Sequence, residues 1–166
     1  LPHRSDQDIR LYFEDLIHLS WIEKKYDEVI SYVNRAGDVM KRLNKQSYDN
    51  RDAWTAYRIG EAYYQTGNLA ECEVYYTIAY RLAPDHNEFA NKYATILAAN
   101  GKNTNAIEVL RKSVKAYPKF PSTLSNLGYL ILIETGDTVS ARKFYDRALA
   151  LDPDYKQAVL NKAGLL

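Results

Sequence analysis

Small, apolar and turn-forming side chains recur along the chain at an interval far longer than one helical turn. Gly60, Ala94 and Gly128 stand 34 and 34 residues apart, and Gly67, Gly101 and Gly136 stand 34 and 35 apart. Cys72, Ala106 and Ala141 follow at 34 and 35, as do Tyr76, Leu110 and Tyr145, then Ala79, Ser113 and Ala148, then Pro84, Pro118 and Pro153. One residue is inserted between Gly128 and Gly136, and every later column keeps that offset. A period of this length marks a chain built from copies of one supersecondary unit. Within each period the pattern predicts a helix of about 12–14 residues, a tight turn and a second helix of similar length.

Each column has a physical content. Gly60, Ala94 and Gly128 are small enough for the first helix to approach the second closely, and Cys72, Ala106 and Ala141 do the same from the other side. Gly67, Gly101 and Gly136 end the first helix, where a left-handed backbone is needed and glycine supplies it cheaply. Asn68 (with Glu71) and Asp137 read as N-terminal caps of the second helix. Tyr76, Leu110 and Tyr145 fill the space between helices, and the prolines stop the second helix because they cannot donate its hydrogen bond. Neither helix can bury its apolar face within a single hairpin, so stacked hairpins must share a core.

These columns resemble the tetratricopeptide repeat, a helix-turn-helix of 34 residues. The first clear unit reads Ala56, Ile59, Gly60, Tyr63, Gly67, Cys72, Tyr76, Ala79, Pro84. The second reads Ala90, Tyr93, Ala94, Leu97, Gly101, Ala106, Leu110, Ser113, Pro118, and the third Leu124, Leu127, Gly128, Ile131, Gly136, Ala141, Tyr145, Ala148, Pro153. Ala56, Ala90 and Leu124 stand where the family has an early tryptophan. The three units occupy 53–86, 87–120 and 121–155. Residues 10–43 form a degenerate unit without the glycines (Phe13, Leu16, Ile17, Lys24, Tyr26, Val29, Val33, Ala36), expected to cap the array, with a polar connector at 45–52. Residues 156–166 restart the pattern as the first helix of an incomplete repeat. The expectation is one all-α domain over 1–166. The resemblance implies antiparallel helix-turn-helix repeats winding into a right-handed superhelical α-solenoid. The chain opens with Leu1, so it reads as a piece of a longer protein.

Composition narrows the function. Lysine plus arginine number 22 and aspartate plus glutamate 21, a balance that gives no strong field for nucleic acid or anionic lipid. The longest apolar stretch, Leu127 to Ile133, is far too short to span a bilayer. Cys72 is the one cysteine, which excludes an intrachain disulfide and cysteine-based zinc or haem motifs; in its small-residue column it reads as a buried spacer. His3, His18 and His86 show no metal-ligand spacing, and His86, between two units, reads as a surface residue. No nucleophile elbow, phosphate loop or dinucleotide fingerprint is present. Acidic neighbours such as Glu14 and Asp15 point in different directions on a helix. No catalytic residue, metal site or cofactor is expected, and the chain reads as a non-enzyme.

The resemblance places a partner on the concave face, lined by the first helices, where the family binds extended peptides or helices. Helical periodicity then assigns inward side chains. The candidates are Trp21 from the degenerate unit, Trp54, Tyr57, Arg58, Glu61 and Tyr64 from the next, Asn91, Lys92 and Thr95 after that, and Ser125, Asn126 and Tyr129 from the third. The early part is aromatic, the residue class that dominates binding hot spots, and the middle is polar. An extended peptide with an apolar segment against the aromatic half is the expectation. A family subclass grips a C-terminal carboxylate with lysine and asparagine; here only Lys92 fits and Glu61 repels. Val159, Leu160, Leu165 and Leu166 form an apolar end that invites either the rest of the parent chain or self-association. A structural spacer, or a docking segment of a larger protein, is the competing reading.

Overall fold

The computed structural model describes residues 5–43 and 52–165. Among these there are nine α-helices and no strand. They fall into two compact units, residues 1–83 and 84–166, so most of the connector expected at 45–52 lies outside the described residues.

The first unit holds α1 (Asp6–Ile22), α2 (Tyr26–Arg42), α3 (Ala53–Gln65) and α4 (Leu69–Leu82). α1 pairs with α2 and α3 with α4 as antiparallel hairpins; α2 and α1 both also pack on α3. α1 starts four residues before the unit expected from sequence, because Ser5 and Asp8 form a reciprocal capping box. Ile9, Phe13, Ala36 and Met40 make the core of that hairpin. In the next, Gly60 lets α3 and α4 touch: a Cβ there would sit 2.6 Å from the Tyr76 ring. Cys72 is buried, as its column requires.

The second unit holds α5 (Asn87–Ala99), α6 (Asn103–Ala116), α7 (Pro121–Thr135), α8 (Thr138–Leu151) and α9 (Lys156–Ala163). α5 pairs with α6 and α7 with α8, and the first helices α5, α7 and α9 also meet one another, α7 touching both. Gly128 allows the α7–α8 approach, since a Cβ there would lie 3.1 Å from the Ala141 carbonyl. Ala158 of α9 closes the last core against Leu124 and Ala148.

The turns follow from the glycine columns. Gly67, Gly101 and Gly136 take φ of 82°, 74° and 69°. At Gly67 and Gly101 the two N–H groups that follow the helix bond back in a paired pattern, Gly67 to Tyr64 and Asn68 to Tyr63, Gly101 to Ala98 and Lys102 to Leu97. The residue inserted before Gly136 is absorbed into α7, which has 15 residues against 13 in α3 and α5. That helix ends instead on a single bond from Gly136 N–H to the Leu132 carbonyl. The degenerate unit lacks glycine at this place, and Lys24 adopts the same left-handed backbone at φ 58°. Asn68 and Asp137 cap their helices through Glu71 N–H and Ser140 N–H.

Candidate functional site

In the first unit the candidate side chains separate into two sets. Trp54 and Tyr64 are 40% and 41% exposed, whereas Tyr57 and Glu61 are buried. Tyr57 packs edge-on against Trp54 at 5.7 Å and lies 6.0 Å from the Tyr76 ring. Glu61 accepts a hydrogen bond from the Tyr76 hydroxyl at 3.2 Å and another from the Gln65 amide at 3.1 Å. Burial, and next the charge of Glu61, push the Tyr76 hydroxyl far above the usual tyrosine range. Tyr57 and Glu61 therefore serve the α3–α4 contact and offer a visitor little surface. Arg58 and Trp21 are half-buried, the guanidinium standing over the indole ring at 5.8 Å.

In the second unit the polar candidates are largely engaged with one another. Asn91 donates its amide to Thr123 Oγ1 at 2.8 Å and accepts from the Asn126 amide at 3.3 Å. One turn earlier on α5, Asn87 Oδ1 accepts from Thr123 Oγ1 and from Ser113 Oγ. Ser125 is buried and accepts from the Asn161 amide of α9 at 3.4 Å. These bonds stitch neighbouring first helices together at two successive places, α5 to α7 and α7 to α9. Thr95 is exposed with its hydroxyl bonded back to the Asn91 carbonyl, Lys92 is half-buried, and Tyr129 is 47% exposed.

The face made by α5, α7 and α9 carries an open cleft of about 530 Å³. Ala94, Ala98, Leu130 and Ile133 line it with Tyr129, and Thr95, Asn126, Gln157 and Asn161 supply polar atoms; no charged side chain lines it. Tyr129 and Asn126 were legible from periodicity as inward residues. The contribution of α9 was not, because the sequence pattern there is short and carries no turn signal of its own. Among the described residues no group of histidine, cysteine or acidic side chains is arranged to hold a metal ion, and no helix is long and apolar enough to cross a membrane. His86, expected on the surface, is half-buried and stacks on Phe89 at 4.1 Å.

Tetratricopeptide repeat models match residues 57–121 and 121–155. Photosystem I assembly protein Ycf3 of Synechococcus sp. (strain CC9605) is 31% identical over 139 residues, covering 78% of this chain and 79% of that protein. The chain belongs to the tetratricopeptide repeat family. As a tetratricopeptide repeat protein it shares its fold with the crystal structure of MamA protein, at a TM-score of 0.76 over 96% of this chain and 81% of that one, with 12% identity. The first such domain of Spaghetti (RPAP3), bound to an HSP90 peptide, superposes with a TM-score of 0.64 at 20% identity, covering 70% of this chain and 92% of that one. Both likenesses speak to fold alone.

Proposed function

We propose that this chain is a protein-interaction module that binds an extended peptide or a helix along the exposed face of its first helices. Its family and the assembly role in the name of its Ycf3 relative support the broad class, an interaction module rather than an enzyme. The uncharged cleft lined by α5, α7 and α9 carries the finer reading. Apolar walls with a few convergent amides suit an uncharged side chain whose backbone needs hydrogen-bond partners. The Spaghetti domain, similar in fold, is bound to an HSP90 peptide, which supports a peptide as the kind of ligand. In the first unit Trp54 and Tyr64 present the exposed aromatic surface that hot spots use.

The test is binding of peptides selected on the wild-type chain from a random library. Trp54→Ala and Tyr64→Ala should each weaken binding by about 1–2 kcal/mol if these rings are anchors. Tyr129→Ala should weaken the part of the ligand that enters the cleft by a similar amount, roughly 1–2 kcal/mol. Unchanged affinity in all three variants would reject the placement. Tyr57, a natural choice from sequence, is a poor probe, because removing a buried ring changes the fold before it changes a contact.

A further inference from the structure

The later first helices bury two places that α1 leaves open. Lys24 takes the left-handed backbone that Gly67 takes in the next hairpin, which fixes the register of one against the other. In that register Tyr12 stands in the place of Thr55, and Leu19 in the place of Ala62. Counted from Gly60 and Gly128, the third repeat has Thr123 and Leu130 there. Thr55, Ala62, Thr123 and Leu130 are all buried, whereas Tyr12 is 46% and Leu19 58% exposed. The difference follows from what packs on each helix. α3 carries the preceding hairpin, α1 with α2, and α7 carries α5 with α6. Thr123 is hydrogen-bonded to Asn87 and Asn91 of α5, so its column faces the preceding first helix. α1 packs on α2 and α3, both later in the chain, and the flank holding Tyr12 and Leu19 stays bare.

That flank has a regular chemistry. Asp8, Tyr12, Asp15 and Leu19 follow one another at intervals of four, three and four residues, which makes one continuous row along a helix. All four are exposed, and the row is turned away from the buried Ile9, Phe13 and Ile17. Asp8 also serves the capping box with Ser5, but Asp15 lies mid-helix, where a carboxylate caps nothing. Arg10, the one basic residue of α1, falls on the far side of the helix, roughly 180° round. A row of this spacing packs against the ridge of another helix. Carboxylates alternating with apolar side chains select lysine or arginine beside the apolar stripe of that second helix. The same carboxylates repel an anionic membrane surface.

We propose that the bare flank of α1 is a docking site for an amphipathic helix of a partner protein, carrying lysine or arginine beside its apolar stripe. That helix takes the place which a preceding hairpin takes on α3 and α7. The flank is separate from the cleft of α5, α7 and α9, and this assignment stands whether or not the cleft holds a peptide.

A display library of amphipathic helices, with a fixed leucine stripe and randomised flanking positions, is panned on the intact chain. Binders should carry lysine or arginine beside the stripe at least about threefold above the unselected library. A synthetic helix from the selection should bind Leu19→Ser at least about tenfold more weakly, because an apolar contact is lost. Asp15→Lys should turn the selection toward glutamate and aspartate; this exposed exchange serves as the test if Leu19→Ser loses helical circular dichroism. Absence of any binder, binders without a basic preference, or affinity unchanged in both variants would overturn the assignment. Sedimentation velocity at rising protein concentration, and flotation with phosphatidylserine–phosphatidylcholine vesicles, check the other occupants. Self-association or vesicle binding that Leu19→Ser abolishes would give the flank to a second copy or to lipid, and would overturn the assignment too.

Discussion

Two tyrosines in equivalent columns show how one residue type meets different fates. Tyr76 and Tyr145 both pack against a glycine of the preceding helix, and both are buried. Tyr76 donates its hydroxyl to Glu61, whereas the Tyr145 hydroxyl has no partner among the described residues. The cause is the residue at the matching place on the first helix: Glu61 in one repeat and Tyr129, which turns outward, in the other. Tyr76→Phe leaves Glu61 with one donor fewer in a buried place and should lower stability by about 1–2 kcal/mol. Tyr145→Phe removes an unsatisfied polar atom and should change stability by less than about 0.5 kcal/mol or raise it slightly. Urea denaturation of the two variants beside wild type measures the difference, and equal losses would remove this account of the columns.

At the scale of elements, the turn chemistry sets the hairpins. The left-handed residue after α1 is Lys24, where the later repeats use glycine. A side chain in that conformation is strained by about 1–2 kcal/mol, and the extra freedom glycine gives the unfolded chain takes back part of the gain. Lys24→Gly should therefore stabilise the protein by roughly 0.5–1 kcal/mol, read as a rise in the urea midpoint at constant slope. The helices, their caps at Asn68 and Asp137, and the stops before Pro84, Pro118 and Pro153 were legible because each is written in a residue type with a local physical meaning. The turn at Lys24 was not, since nothing local marks lysine for a left-handed backbone and the packed hairpin imposes it. The site was legible only in part. Periodicity fixes the angle of Tyr57, Glu61 and Ser125 around their own helices, but not how far neighbouring helices reach over them. For the same reason Asn91 and Asn126, placed among the inward candidates by periodicity, bond to each other. Trp54, Tyr64 and Tyr129 remain exposed.

For the molecule as a whole, the repeated unit leaves each set of second helices and each set of first helices with different surfaces. First helices carry the amide stitches, the exposed rings and the cleft; the cleft belongs to the second unit and Arg58 over Trp21 to the first. An occupant of the first helices changes the surroundings of backbone amides on α1 and α3 in the first unit, or on α5, α7 and α9 in the second, more than those on the second helices of the same unit. The most direct measurement is a residue-by-residue amide chemical-shift map, recorded by nuclear magnetic resonance while a library-selected peptide is titrated into the labelled chain. The expected result is saturable shifts concentrated on the first helices, with Thr95, Asn126, Tyr129 and Asn161 among the largest. Shifts confined to the second helices would contradict the account.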